Sequence, residues 1–462
     1  MTNRFSCISP SDGRVFAERE FTPPAAVRNT LEAAQAGARA WRHVPLSERQ
    51  ALIAKAVDRF VANQDTLARE ITLQMGRPVS QSPGEIRGFE DRARTMIALA
   101  TAALADVVPA PKEGFTRFIR KEPLGVVLAI APWNYPFLTA VNTVVPALLS
   151  GNAVILRHSP QTPLCAERMV EAFSAAGVPA GVFQFLHTTD EDTDELIRTP
   201  GVDHVAFTGS VRVGHVVQRF ASERFISLGL ELGGKDPAYV RADANFDHAV
   251  ENLVDGAMFN SGQSCCAIER IYVHESLYDR FVDAFVALTK QYKLGNPADK
   301  ETNLGPLVRT SAADFVRGQI RDAVAAGARA LVDESAFSMS KAGTPYLAPQ
   351  VLVNVDHSMR VMTEESFGPV VGIMKVKTDD EAVRLMNDSP FGLTAAIWTS
   401  DEAAALRLGN AIDTGTVFMN RCDYLDPALA WVGLKDSGRG VTLSSLGFEV
   451  LTRPKSYHLR RV

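Results

Sequence analysis

Long hydrophobic runs are missing from this sequence. No stretch of about 18 uncharged apolar residues occurs, so no membrane span is expected. Cysteine is scarce: the five residues, at positions 7, 165, 265, 266 and 422, are odd in number and scattered, which excludes a disulfide framework. The adjacent Cys265-Cys266 has no further Cys or His at zinc-binding spacing, and no metal site is expected. A basic surplus is absent as well. With a net charge of −5, nucleic acid is not an expected partner, and Arg453, Lys455, Arg460 and Arg461 are too sparse to change that. Met1-Thr2-Asn3-Arg4, with Asp12 and Arg14 soon after, lacks the apolar core of a secretory signal, and a cytoplasmic location is the expectation. What remains is an ordinary globular composition, 46% hydrophobic and 22% charged. Its 462 residues exceed what one core usually supports, so two or three domains are expected.

Apolar positions at three- and four-residue spacing predict helices over 25–41, 47–75 and 85–105, the second opening on a Ser47/Gln50 capping box. From Pro123 the texture changes. Short apolar runs at 126–131, 153–156, 182–186 and 204–207 alternate with helical segments, and a further strand is expected at 224–228. Such β-α alternation predicts a parallel sheet covered on both faces, with a nucleotide site at its carboxyl ends. A second α/β series runs from about residue 238 to 420. Two segments, 109–122 and 448–459, read as strands with no helix behind them. Exposed strands are liabilities unless paired, which suggests an arm buried against another subunit.

Four places carry candidate chemistry. Cys265 follows Gly262-Gln263-Ser264 just after a predicted helix. A packed thiol and a nucleophile are both open readings, the second requiring a base or local dipole because an unperturbed thiol has a pKa of about 8.5. Glu231, in Leu230-Glu231-Leu232-Gly233-Gly234-Lys235, is either a partly buried base or a strand-end charge. Asn134, in Pro132-Trp133-Asn134-Tyr135-Pro136, could cap a helix or donate to an oxyanion. Gly209-Ser210-Val211-Arg212-Val213-Gly214 opens a helix after a strand, a pattern that serves a tight turn as well as a phosphate.

Together with Glu365-Ser366-Phe367-Gly368-Pro369, these motifs resemble in order and spacing the aldehyde dehydrogenase superfamily, from about residue 5 to the end. The resemblance implies an α/β fold with a Rossmann-like NAD(P)-binding domain (1–105 and 123–234), a parallel-sheet catalytic domain (235–432) and a small β oligomerisation arm (106–122 and 441–462). It implies that Cys265 attacks the aldehyde, that Asn134 and the Cys265 N–H hold the oxyanion, and that Glu231 activates water against the thioester. The implied cofactor residues are Trp133, Arg157, Ser159, Pro160, Gly209, Ser210, Gly214, Leu232, Gly233, Glu365 and Phe367, and a homodimer or homotetramer is the implied assembly. Cys266 is expected to be a packed neighbour.

The sequence departs from the family pattern in places. Arg157-His158-Ser159-Pro160 stands where relatives carry a lysine followed by proline, serine and glutamate. Pro160 cannot accept from a ribose 2′-hydroxyl and removes a charge that would repel a 2′-phosphate, which moves the expectation for NAD(P)+ towards NADP+ or dual use. The 420–431 stretch replaces a Pro-Phe-Gly-Gly segment at the substrate mouth, with Tyr424 and Trp431 as candidate contacts for a small-molecule aldehyde. Leu138 and Asn142, on one helix face, form the other wall. No arginine pair for a dicarboxylic semialdehyde is evident, and a tail glutamate used by some relatives as a second base is replaced near Ser445. Among rival readings, coenzyme A-acylating relatives generally lack a base at the Glu231 position, so its presence favours hydrolysis. A silent binding protein on the same fold would have lost Cys265, Asn134 or Glu231, and none is lost. Esterase activity without nucleotide fits a thiol hydrolase and a dehydrogenase alike, and separates neither.

Overall fold

The computed structural model, which describes residues 4–462, contains two large sheets. The first has the strand order Gly438–Arg439, Ser227–Glu231, His204–Thr208, Val126–Ala131, Ala153–His158, Phe183–Leu186, parallel throughout except for its antiparallel first edge. Strand Val126–Ala131 is buried along its whole length. Its period-two geometry sends Val127, Ala129 and Ala131 into one core and Val126, Leu128 and Ile130 into another on the opposite face. The chain builds outward from this strand to Phe183–Leu186, then returns to lay His204–Thr208 on its other side. The order therefore reverses between Val126–Ala131 and His204–Thr208, the crevice where ligands of such sheets bind. Pro132-Trp133-Asn134 and Gly209-Ser210 are the segments leaving the two strands there.

The second sheet runs Arg329–Ala330, Gln350–Val353, Val370–Val376, Ile268–His274, Asp236–Val240, Thr394–Trp398, Thr416–Met419, again parallel except for its first strand. Only Leu232-Gly233-Gly234-Lys235 separates strand Ser227–Glu231 from Asp236–Val240. The carboxyl end of one sheet thus feeds directly into the amino end of the other. Glu231 ends the first strand, and Cys265 lies just before Ile268–His274 in the second sheet.

Several elements differ from the sequence reading. The chain opens on a hairpin, Arg4–Ile8 with Val15–Glu20, too short and too exposed to show a clear period. The helix expected over 47–75 is two, Leu46–Val61 and Gln64–Met75. No capping box forms at Ser47: Pro45 occupies the cap, and Gln50 reaches instead to the Ile97 carbonyl at 2.9 Å. The strand expected at 224–228 is displaced to Ser227–Glu231, which carries Glu231 into the sheet. Both unpaired strands find a partner in each other. Phe115–Pro123 and Thr452–Arg460 form an antiparallel ribbon, with Phe118 stacked on Tyr457 at 4.4 Å and the Arg120 guanidinium over both rings. Residues 448–451, the start of the strand expected over 448–459, belong instead to a 3-10 turn, Leu446–Leu451, before it. Among the described residues no helix is long and apolar enough to cross a membrane.

Candidate active site

The turn before Cys265 is made by three successive residues in left-handed conformation, Asn260 (φ 51°), Ser261 (φ 56°) and Gly262 (φ 71°). A side chain at 262 would run into the Gly368 carbonyl, 2.3 Å from an added Cβ, so glycine is required by space as well as by dihedral. Holding two non-glycine residues there costs free energy, on the order of 1–3 kcal/mol each, and the surroundings fix them. Ser261 Oγ donates to the Gly305 carbonyl at 2.9 Å, and Gln263 Oε1 accepts from the Val308 N–H at 2.8 Å. Cys265 emerges half-buried, while Cys266 is buried, its thiol donating to Asp423 Oδ1 at 3.0 Å. Burial holds Asp423 above the ordinary carboxylate range, at about 6.

Asn134 does not cap the following helix, Pro136–Leu149, whose cap is Tyr135. Its Nδ2 instead donates to the Gln263 carbonyl at 3.3 Å, which ties it to the nucleophile turn. Arg77 and Glu85, buried and ion-paired, brace this arrangement from behind. Arg77 donates to the Asn134 carbonyl and, at 3.1 Å, to Asn260 Oδ1. Glu85 Oε1 accepts from the Phe137 N–H at 2.7 Å and the Leu138 N–H at 3.2 Å, satisfying two otherwise orphaned amides at the start of the helix. One ion pair therefore fixes the turn, the asparagine and the helix together.

In front of this frame lies a cavity of about 370 Å³ whose walls include Leu138, Asn142, Glu231, Cys265, Tyr424 and Trp431. Every nucleophile, base and substrate candidate read from the sequence meets here; Asn134 stands behind the wall. Burial raises the Glu231 carboxyl above its usual value, opposed by hydrogen bonds from Thr442 and Thr208 and by the positive charge of Arg92. Sequence reasoning missed Arg77, Glu85, Arg92, Thr208 and Thr442. Glu85 and Arg92 read as the solvated face of an amphipathic helix, Arg77 lies in the loop before it, the two threonines lie outside helices, and only the tertiary fold turns all five inward.

The cofactor candidates cluster along the switch-point crevice. Ser210 caps helix Val211–Ala221 by accepting from the Val213 N–H, and the first turn contains no acidic residue, as an anion at that terminus requires. Gly214 lets the helix approach Leu232, which an added Cβ would meet at 2.7 Å. Trp133 and Phe367 meet edge to face at 5.6 Å. Glu365 accepts from the Gly234 N–H at 2.9 Å, packs against Gly233, and is pushed up to about 8 by burial and by the neighbouring Glu269. The Glu365-Ser366-Phe367 segment is itself pinned by Glu269, which pairs with the buried Lys235 and accepts from the Ser366 and Phe367 N–H groups. At the far end Arg157 donates to Asp190 Oδ1 at 2.7 Å, and the Ser159 N–H donates to the Ala131 carbonyl at 3.0 Å. Pro160 follows with no N–H to offer.

A doubly wound sheet with an anion-ready helix terminus opens onto a cavity that holds a cysteine and a raised carboxyl, the parts of a nucleotide-binding enzyme site. Comparison with known proteins agrees. Residues 1–457 match the aldehyde dehydrogenase family. The NAD(P)+ succinate semialdehyde dehydrogenase Sad of Escherichia coli is 34% identical over 95% of this chain and 94% of its own. An NADP(+) succinate-semialdehyde dehydrogenase of Mycobacterium avium is 35% identical over 97% and 95%. Among solved structures, an indole-3-acetaldehyde dehydrogenase bound to NAD+ superposes with a TM-score of 0.94, at 33% identity over 99% of this chain and 93% of that one. The chain belongs to the aldehyde dehydrogenase family and is an NAD(P)-dependent aldehyde oxidoreductase.

Proposed function

We propose that the protein oxidises an aldehyde to the free carboxylic acid, with Cys265 as nucleophile and Glu231 as the base that activates water. The observation that carries this reading is that both side chains line one cavity beside the nucleotide crevice. Cys265 Sγ, its proton released to solvent water, bonds to the carbonyl carbon, and the oxyanion is held by Asn134 Nδ2, released from Gln263, and by the Cys265 N–H. The bound nucleotide supplies the hydride acceptor, with Glu365 placed for its ribose and Phe367 and Trp133 for the ring. The thioester left on Cys265 is then attacked by water whose proton passes to Glu231, and the C–S bond breaks to return the thiol. A carboxyl raised by burial suits that proton transfer, because a base works best with a pKa near the working pH.

Cofactor choice rests on the Arg157 end of the crevice. Pro160 contributes no carboxylate, but Asp190 brings one to Arg157, and we read the site as accepting both NAD+ and NADP+. The division 1–105 with 123–234, 235–432, and 106–122 with 441–462 into cofactor, catalytic and oligomerisation units is part of the same proposal, the ribbon being the subunit contact.

Rapid-mixing kinetics with an aliphatic aldehyde test the roles. Cys265→Ala is expected to lose nucleotide reduction, and Glu231→Gln to keep a burst of reduced nucleotide while turnover slows by about 10²–10⁴-fold. A Glu231→Gln enzyme without a burst, or acyl-coenzyme A formed in place of free acid, would refute the assignment.

A further inference from the structure

At the root of the ribbon lies a second cavity, of about 330 Å³, which shares no wall residue with the catalytic one. Its walls come from the joint between helices Pro24–Trp41 and Leu46–Val61, the end of strand Phe115–Pro123, and Ser150. Four cations, Arg42, Arg49, Arg120 and Lys121, line it against one carboxylate, Glu122. Glu122 is shared between Arg42, at 3.0 Å, and Lys455, at 3.2 Å, so the cationic excess remains. Arg120 turns to Asp106 and to the Phe118 and Tyr457 rings. Lys121 donates to the Ala103 carbonyl at 2.8 Å and lies 3.8 Å from Glu449.

Arg49 is the cation whose position these contacts do not account for. It is only 8% exposed. Its Nε donates to the Leu149 carbonyl at 3.0 Å and its Nη1 to the Val44 carbonyl at 2.8 Å, which ties the end of helix Pro136–Leu149 to the helix joint. Its Nη2 has no acceptor among the described residues and is not sealed off, so it opens onto the cavity that Arg49 lines. Among the described residues no carboxylate pairs with it, and burial lowers its pKa with no acidic neighbour to oppose the shift. A guanidinium stays charged in a protein, and a buried charge is unfavourable until its donors are filled.

The surroundings converge on the same point. Gly151, left-handed at φ 92°, packs between the parts: an added Cβ would meet Arg49 Nη1 at 3.2 Å, Arg42 Cα at 3.4 Å and Pro123 Cγ at 3.5 Å. Helix Leu46–Val61 begins on this wall without a side-chain cap, and the Leu46 and Ser47 N–H groups have no acceptor among the described residues. Glu48, the acidic residue of that first turn, is exposed and stands outside the wall.

We propose that this cavity binds a small phosphate monoester, held by Arg49 Nη2, Arg42 and the first amides of helix Leu46–Val61. Donors arriving from separate elements suit a tetrahedral dianion better than a planar carboxylate, which a single guanidinium fork satisfies. The volume falls at the small end of the range for small-molecule sites, about 300–1,000 Å³. The site is independent of the roles of Cys265 and Glu231.

Calorimetric titration with inorganic phosphate and with glycerol 3-phosphate, the nucleotide crevice filled by NAD+, tests it. Saturable binding of both is expected, with acetate weaker, and hydrogen exchange should slow over residues 42–49 and 120–122. Loss of a hydrogen bond between charged groups predicts that Arg49→Gln weakens binding about 10- to 100-fold and Arg42→Gln about 10-fold. Arg59→Gln, at the other end of the same helix, is expected to leave it unchanged. Arg42→Gln carries the test if Arg49→Gln fails to fold, because Glu122 then keeps Lys455. Absence of saturable binding, protection over residues 209–214 instead, or unchanged affinity in Arg42→Gln would overturn the proposal. So would phosphate binding only to dissociated monomer, which would show that a second copy of the chain fills the cavity.

Discussion

At the scale of single residues, the site takes charges out of water and lets their neighbours set their ionisation. Glu231 shows the balance. Burial raises its pKa, while Thr442, Thr208 and Arg92 pull it back. A base must be ionised to accept a proton, so hydrolysis is lost as pH falls through the raised pKa and present above it. Thr442→Val removes a hydrogen bond that favours the carboxylate, and the acid limb of the kcat profile is expected to move to higher pH. A limb that stays in place or moves down would show that Thr442 does not hold the base. Cys265, Glu231 and Asn134 stood out in the sequence because short motifs frame them. Arg92, whose charge acts on Glu231, did not: its position depends on which face of a helix meets the cavity, and one arginine among many carries no mark of that.

At the scale of elements, the catalytic geometry is an assembly of ends. Strand Ser227–Glu231 ends on the proposed base, the left-handed turn at 260–262 leads to the proposed nucleophile, and helix Pro136–Leu149 begins just after the proposed oxyanion donor. The Arg77–Glu85 pair ties the last two. Removing one partner of a fully buried ion pair typically costs about 3–5 kcal/mol, so Glu85→Gln is expected to lose that much stability in urea unfolding. Its kcat should also fall more than its KM rises, because Asn134 loses its brace. If the double variant Glu85→Gln/Arg77→Met recovers none of the lost stability, the pair is not acting as a unit. The β-α alternation was readable because buried parallel strands are uninterrupted apolar runs. The opening hairpin was not, since its side chains are mostly exposed or half-exposed and its register comes from pairing.

At the scale of the whole molecule, two sheets meet end to end and a ribbon stands apart from both. The ribbon was expected as two strands in search of partners, and the pairing of Phe115–Pro123 with Thr452–Arg460 resolves half of that search. Its outer faces, with Leu459 52% exposed, remain for a second copy in the proposed assembly. Tyr457→Asp, which places a charge in the Phe118 stack, is expected to shift the mass in sedimentation equilibrium towards the 50.1 kDa of one chain. A wild-type protein that sediments as a monomer would end the subunit-contact reading.

The route of the chain through the site also bears on its synthesis. Strand Gly438–Arg439 closes the edge beside Glu231, Thr442 bonds the base, Ser437 Oγ donates to the Gly233 carbonyl, and Trp431 completes the cavity. These pieces leave the ribosome long after Cys265 and Glu231, which they enclose. A nascent chain can fold its first sheet early, since domains tend to form in the order they are made. The pocket stays unfinished until residues 431–442 arrive, so the proposed nucleophile is translated well before the walls that enclose it.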